Sequence, residues 1–230
     1  MCTITYLPTP NGYITTQNRD ESPLRERAVF PVRQSTSNSE IVFPKDPEGQ
    51  GSWFVANKNG ETLCIMNSVF HFDKTSADFK HSRGLVPFHY LQFNSVDQFK
   101  NNYEFDGIQG FTLVICAQTV IHEIEWDEKK VVHNKFEPKP LIFQSNPLYN
   151  PNQKKKRAQW FEYWLRDNPT DEIFNFHTLQ FEENKAESIL MDREVVKTVS
   201  VVSREFSSKS DDLLYVETEN LKNIQHFSIH

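Results

Sequence analysis

The clearest pattern of apolar and β-branched residues lies at the start of the chain. Residues 2–7 and residues 13–17 are both rich in threonine, isoleucine and tyrosine. Between them lies Pro8-Thr9-Pro10-Asn11-Gly12, and an Asn-Gly pair between two such runs is a strong hairpin signal. The pattern therefore predicts a β-hairpin that returns the chain, at position 18, to the neighbourhood of its own amino terminus.

Strand character recurs farther along the chain. Residues around Lys58-Asn59-Gly60 predict a second hairpin, again built on an Asn-Gly pair. Two later pairs of runs each surround a short polar turn. The predicted strands are 52–55, 61–69, 111–117, 119–126, 195–202 and 213–217.

Helical spacing of apolar residues dominates the middle of the chain. Residues 88–101 and 158–165 carry it, and in the second run positions 160, 161, 164 and 165 share one face. The basic residues 154–157 are predicted to be the solvated first turns of that helix, and a further helix is predicted to begin near 169–172. Strands, then helices, then strands predict a layered α+β fold, with residues 1–230 as a single domain.

Composition and charge exclude several classes of protein. The 230 residues are 37% hydrophobic and 24% charged, which is enough to bury a full core. A net charge of −6 argues against a nucleic-acid partner or an anionic membrane surface. No eighteen apolar residues run together, so stable membrane insertion is not expected. Small neutral or weakly polar substrates remain open, and so does the oligomeric state.

The three cysteines, Cys2, Cys64 and Cys116, are an odd number without paired spacing. Neither a disulfide framework nor a zinc site is therefore indicated, and the eight histidines show no metal-ligand spacing with carboxylates. Cys64 and Cys116 lie in apolar runs and are predicted to be buried strand residues. We expect no metal or cofactor, and a reduced, cytoplasmic, soluble protein.

Cys2 is the first candidate for chemistry. A small second residue allows Met1 to be removed, which leaves a cysteine with both a thiol and a free α-amine. A thiol of pKa about 8.5 is only a few per cent thiolate at neutral pH, whereas an α-amine of pKa about 8 is partly neutral and can accept the thiol proton. The alternative is that Cys2 is simply a small apolar residue at the start of a strand.

The polar run Asn18-Arg19-Asp20-Glu21 lies at the far end of the predicted hairpin. Antiparallel pairing brings Arg19 or Asp20 back beside Cys2. A guanidinium next to a thiol favours the thiolate, and a carboxylate can hold an amine by a charged hydrogen bond. The alternative is a solvated turn with an ordinary surface ion pair.

Met1-Cys2-Thr3 together with Asn18-Arg19-Asp20-Glu21 resembles the family named for that tetrapeptide, also called the transport and Golgi organisation protein 2 family. Further matching pieces occur in order over most of the chain: Gly51-Ser52-Trp53-Phe54, Asn59-Gly60, Asn67, Ser82-Arg83-Gly84, Gly110-Phe111 and Ser145-Asn146. That family in turn resembles the amino-terminal cysteine branch of the N-terminal nucleophile hydrolases, which includes bile salt hydrolases and penicillin V acylases. The resemblance implies an αββα sandwich of antiparallel sheets and cleavage of linear, non-peptide amide bonds.

The resemblance also assigns roles near the amino terminus. Cys2 is the implied nucleophile with its own amine as base, and Arg19 corresponds to the arginine near the thiol. Asp20 corresponds to the aspartate that binds the amine, with Asn18 beside it in a supporting place. The hydrolases separate that arginine and aspartate by two residues, whereas here they are adjacent, so Glu21 could take the role instead.

Three later residues complete the implied site. Asn67 and Asn146 correspond to the two asparagines that can donate to a developing oxyanion. The alternatives are a turn residue at the end of a strand for Asn67 and a loop residue before a proline for Asn146. A late arginine of the family is replaced here by Lys197, which supplies a point charge without the bidentate guanidinium fork.

Two classes of function follow. The first is an N-terminal cysteine amidohydrolase that acts on a small-molecule amide through a thioester. The second is a non-enzymatic carrier on the same scaffold, because the family's eukaryotic members are linked to haem trafficking and to lipid or acyl-CoA metabolism. No Cys-Pro or paired-histidine signature for haem is present. A structural domain with a vestigial site is a third reading.

Overall fold

The computed structural model describes residues 2–37, 39–69, 78–146 and 148–229. They belong to two compact units, one formed by residues 1–25 with 138–230 and the other by residues 26–137. Each unit contains one antiparallel sheet, and helices accompany both, so the expected α+β class is confirmed. Met1 and Pro147 lie outside the described residues.

The described chain contains thirteen β-strands and four α-helices, together with short 3-10 turns. In chain order the strands and helices are β1 (Cys2–Thr9), β2 (Gly12–Glu21), β3 (Val29–Ser35), β4 (Glu40–Lys45), β5 (Phe54–Asn57), β6 (Glu61–Asn67), α1 (Val86–Tyr90), α2 (Val96–Asn102), β7 (Phe111–Cys116), β8 (Ile121–Trp126), β9 (Val131–Phe136), β10 (Leu141–Gln144), α3 (Pro151–Asp167), α4 (Ile173–His177), β11 (Lys197–Ser207), β12 (Asp211–Glu217) and β13 (Gln225–Ser228).

The first unit is built on the predicted amino-terminal hairpin. Its sheet has the order β10-β1-β2-β11-β12-β13, so β1 and β2 lie inside the sheet and are covered by pairing on both edges. The hairpin register runs from Cys2 opposite Arg19 to Thr9 opposite Gly12. This confirms the hairpin and fixes which residue of the motif faces Cys2.

Helices α3 and α4 cover one face of this hairpin. Leu7 of β1 and Ile14 of β2 pack there with apolar side chains of both helices and of the segment after α4, namely Phe161, Trp164, Ile173, Phe176 and Ile189. Side chains alternate between the two faces of a strand, so every second residue of β1 and β2 points towards these helices. We call this side the helix-covered face.

The second unit is a seven-stranded sheet of order β3-β4-β5-β6-β7-β8-β9. Its predicted hairpin forms between β5 and β6, and its predicted strand pair forms between β7 and β8. Cys64 on β6 and Cys116 on β7 are fully buried, as predicted for strand residues. Among the described helices of both units, none is long and apolar enough to cross a membrane.

The prediction of a mainly helical middle is wrong. Five strands were not predicted: β3, β4, β9, β10 and, near the end of the chain, β13. The apolar residues of β3 and β9 do not alternate with polar ones, so the pattern that marks a strand is missing there. The predicted helix over 88–101 is two short helices. Ser95 has extended backbone and its hydroxyl accepts from the Gln98 N–H, so a new helix begins there instead of continuing the first.

Helix α3 begins earlier than the apolar spacing predicts. Asn150 caps it, because its side chain accepts from the Gln153 N–H while the Gln153 side chain accepts from the Asn150 N–H. The basic residues 154–157 therefore lie inside the helix. Three of them are at least partly exposed, but Arg157 is only 1% exposed, so the prediction of a wholly solvated run is wrong. The helix predicted near 169–172 is confirmed as a 3-10 turn leading into α4.

Candidate active site

Cys2 lies directly opposite Arg19 at the start of the hairpin. The Cys2 carbonyl oxygen accepts from the Ser145 N–H at 3.1 Å, so the Cys2 peptide is directed towards β10. Cys2 and Arg19 are therefore a non-hydrogen-bonded pair, in which the Cα atoms approach to about 4.5 Å and the side chains share one face. Both residues are buried, at 3% and 6% exposed. The geometry brings the thiol and the guanidinium together away from bulk water.

The motif Asn18-Arg19-Asp20-Glu21 is divided between the two faces of β2. Because Cys2 and Arg19 share one face, Asn18 and Asp20 point to the other, which is the helix-covered face. The Asn18 amide nitrogen donates to the His177 and Ile189 carbonyl oxygens, each at 3.0 Å, and its oxygen bonds with His177 Nδ1. Asn18 thus joins the hairpin to α4 and to the segment that follows it.

Asp20 is fully buried and held from two sides. Thr198 Oγ1 donates to its Oδ1 at 2.7 Å, and the Tyr149 hydroxyl donates to its Oδ2 at 3.1 Å. Burial raises the pKa of the Asp20 carboxyl above its ordinary value, although these two donors and the charge of Arg157 oppose the shift. In the antiparallel register, Asp20 comes one position beyond the partner of Cys2.

Glu21 is the last residue of β2 and is partly exposed. Burial alone raises the pKa of its carboxyl, but the Ser22 N–H at 2.9 Å and the positive charges of Arg25 and Arg19 bring it below the ordinary value. Glu21 is therefore ionised at neutral pH. Lys197 lies opposite it at the start of β11, which places a positive charge at this edge of the site.

The two candidate oxyanion donors belong to different units. Asn146 directly follows Ser145, whose N–H bonds to Cys2, and its side-chain oxygen accepts from Lys154 Nζ. This bond holds the carbonyl end of the Asn146 amide, so the nitrogen is the donor end. Asn67 is the last residue of β6 in the second unit, opposite Phe111. Its assignment to the site stays a prediction.

Arg157 is a neighbour of this site that the sequence analysis missed. Its Nη2 donates to Thr3 Oγ1 at 2.8 Å, and its Nη1 donates to the carbonyl oxygens of Glu187, at 2.9 Å, and Ser188. The guanidinium carbon lies 4.2 Å from the centre of the Tyr149 ring. A signal was present: residues 157, 161 and 164 are spaced i, i+4, i+7, which puts Arg157 on the buried face of α3.

Within the described residues, no three histidine, cysteine or carboxylate side chains converge as a metal site. The polar groups around Cys2 are instead suited to moving protons and stabilising charge. A buried thiol lies opposite a guanidinium in the strand register, and a buried carboxylate lies one residue farther along β2.

Comparison with known proteins gives one family and one fold. The family model described as Transport and Golgi organisation 2 matches residues 1–221. A search of curated proteins finds no match.

Three similar solved structures are hydrolases. Two are variants of the conjugated bile acid hydrolase from Clostridium perfringens, with TM-scores of 0.61 and 0.65 at 10% identity; they cover 100% and 99% of this chain and 92% of their own. The third is the Caenorhabditis elegans orthologue of N-acylethanolamine-hydrolyzing acid amidase, with a TM-score of 0.60 at 10% identity, covering 88% of this chain and 92% of its own. These similarities confirm the expected N-terminal nucleophile hydrolase fold.

Proposed function

We propose that this chain, which belongs to the Transport and Golgi organisation 2 family, is a hydrolase of linear, non-peptide amides that uses Cys2 as its nucleophile. The observation that carries the proposal is the register of β1 and β2, which sets Cys2 opposite Arg19 and places the buried carboxylate of Asp20 one position farther on. The reaction takes place in the cytoplasm in this proposal, on a small-molecule substrate and without a cofactor.

The proposed reaction begins after removal of Met1. The free α-amine of Cys2 takes the thiol proton, and the thiolate attacks the carbonyl carbon of the amide. Arg19 stabilises the thiolate, and Asp20 holds the amine, with Glu21 as the nearby alternative. The side-chain nitrogen of Asn146 donates to the oxyanion that forms on the substrate.

Collapse of this tetrahedral species completes the first half of the reaction. The C–N bond breaks, the leaving amine takes the proton from the Cys2 ammonium, and the acyl group remains on Cys2 as a thioester. Water then gives one proton to the α-amine and attacks the thioester carbonyl. The acid is released and the thiol recovers its proton, so neither an oxidant nor a metal enters the balance. Lys197 adds positive charge at the edge of the site during both steps.

The substrate class is supported by chemistry as well as by fold. One of the similar structures is named for hydrolysing N-acylethanolamines, which are linear amides, and the other two are hydrolases of conjugated bile acids. At 10% identity these proteins share the fold with this chain. The residues that support the same reaction here are its own Cys2, Arg19 and Asp20.

The test is a panel of N-acyl amides given to the purified protein, with product acids and protein mass followed together. We expect acid release and an acyl adduct on the Cys2 peptide in the wild-type protein. Cys2→Ala should abolish both, while Cys64→Ala, which removes a buried thiol elsewhere, should retain both. Turnover that is unchanged in Cys2→Ala would rule the proposal out.

A further inference from the structure

We propose that Arg157 is a positioning residue for the nucleophile: it holds Thr3, the residue after Cys2, and through Tyr149 it holds the carboxylate of Asp20. The inference rests on the proposed function of Cys2 and names a residue that neither the motif nor the family resemblance includes. Arg157 does not touch the thiol. It acts on the two groups that determine where the thiol and its amine lie.

The burial of Arg157 calls for such a role. A guanidinium that is 1% exposed has lost most of its hydration, which is costly unless the protein replaces it. Its hydrogen-bond acceptors in the described chain are one hydroxyl and two backbone carbonyls, none of which carries a charge. A leucine or methionine on α3 would fill this place in the core at lower cost. The charge itself is therefore the feature to explain.

The carboxylate that responds to this charge is Asp20. The positive charge of Arg157 opposes the rise that burial causes in the pKa of Asp20. The two residues are connected through Tyr149, because the guanidinium lies over the ring and the ring hydroxyl donates to Asp20 Oδ2 at 3.1 Å. A cation on the face of a phenol is attracted to its π-electrons and strengthens the hydroxyl as a donor. Arg157 thus favours the ionised form of Asp20.

The second contact fixes the backbone. Arg157 Nη2 donates to Thr3 Oγ1 at 2.8 Å on the helix-covered face, while Cys2 projects from the opposite face. Thr3 directly follows Cys2 in β1, so this anchor is adjacent to the proposed nucleophile. A loosened Thr3 would let the amino end of β1 move relative to Arg19 and Asp20. Misplacement of a reacting group by about 1 Å can lower a rate on the order of a hundredfold.

The surrounding charged groups allow the effect to be isolated. Arg19 and Glu21 on β2, Lys197 on β11 and His177 on α4 are charged or titratable groups at this end of the hairpin. Arg193 is another, since its guanidinium carbon lies 5.7 Å from the centre of the Tyr149 ring. All five stay in place in each variant below. Burial, assisted by the charge of Arg157, lowers the pKa of His177 to about 3, so this ring stays neutral over the pH range of the test.

The test measures the alkylation rate of Cys2 by iodoacetamide from pH 5 to 9, together with urea unfolding of each protein. In Arg157→Met we expect about a tenfold lower rate at pH 7 and a profile displaced upwards by about one pH unit. Arg157→Lys, which keeps the charge, should recover part of the lost rate and reduce the displacement of the pH profile. The matched control is Lys156→Met on the next position of α3, where a half-exposed ion pair with Glu187 is lost and the profile should not change.

Tyr149→Phe gives a second measurement that does not depend on the folding of the arginine variants. It removes one hydroxyl and keeps the ring beneath Arg157, so we expect the pH profile to move while the protein remains folded. Folded Arg157→Met or Tyr149→Phe with the wild-type rate and profile would overturn the inference alone. Failure of the wild-type Cys2 to react in preference to Cys64 and Cys116 would instead overturn the proposed function, and this inference with it.

Discussion

Replacing Asn18 with alanine should destabilise the protein without lowering the reactivity of the Cys2 thiol. Asn18 makes three buried side-chain hydrogen bonds, two from its nitrogen to the His177 and Ile189 carbonyl oxygens and one between its oxygen and His177 Nδ1. All three lie on the helix-covered face, away from the thiol. The first residue of the motif is therefore expected to support the fold, although it stands next to residues proposed for catalysis.

The magnitude follows from the number of bonds. A buried hydrogen bond contributes about 1 kcal/mol net, so the loss of three predicts a fall of about 3 kcal/mol in the free energy of unfolding. A protein of this kind is typically stable by about 5–15 kcal/mol, and the variant should remain folded. The matched control is Thr16→Val, two residues earlier on the same face. It loses a single side-chain bond, between Thr16 Oγ1 and Ser203 Oγ at 2.7 Å, and should cost about 1 kcal/mol.

Urea unfolding followed by tryptophan fluorescence measures both changes, and equal slopes against urea concentration make the free energies comparable. Labelling of Cys2 in the folded variant should proceed at close to the wild-type rate. The reasoning is refuted if Asn18→Ala costs no more than Thr16→Val. It is refuted equally if the folded Asn18→Ala protein is as stable as expected but no longer reacts at Cys2.

Three further predictions concern stability. Burial lowers the pKa of His177 to about 3, so below pH 6.5 the unfolded chain binds a proton that the folded chain does not. The contribution of neutral His177 to stability is therefore complete above pH 6.5 and falls by roughly 1.4 kcal/mol per pH unit towards pH 3. His177→Gln should flatten the acid side of the stability curve, which urea titrations at pH 7, 6 and 5 would measure. Arg204→Met should lower the free energy of unfolding by about 3–5 kcal/mol, because it removes the guanidinium that bonds the buried carboxylate of Asp211 at 2.6 and 2.7 Å. Adding Asp211→Leu should recover part of this loss. A double variant no more stable than Arg204→Met would contradict the reasoning. Gly12→Ala should cost about 1–3 kcal/mol or more, since its Cβ would lie 1.8 Å from the Phe206 carbonyl oxygen, and an unchanged urea midpoint would show that the strand can yield there.

The part of the site nearest the amino terminus could be predicted because it depends on local structure. The short turn Pro10-Asn11 between Thr9 and Gly12 fixes the hairpin register, and the register alone sets Cys2 opposite Arg19. Lys197 was associated with the site only through the family resemblance, because β11 joins β2 from far along the chain. Long-range pairing of this kind leaves no signal in a single local pattern.

The errors have physical causes. Arg157 was assigned to solvent because three lysines precede it, yet its place on the buried face of α3 is visible in its spacing from Phe161 and Trp164. Charge was given more weight than helical periodicity. Strand β9 was missed because its apolar residues, Val131, Val132 and Phe136, do not alternate with polar ones. Its formation depends on the neighbouring strand β8 rather than on its own sequence.

The central claim is that Cys2 is an amino-terminal nucleophile with a free α-amine and a reactive thiol. Intact-mass analysis of natively expressed protein tests this claim most directly. The protein is weighed before and after brief treatment with a cysteine-directed electrophile, and Cys2→Ala is weighed alongside. The account predicts a mass without Met1 and one rapidly added label, which is absent from Cys2→Ala. A retained Met1, or labelling that is the same in Cys2→Ala, would contradict it.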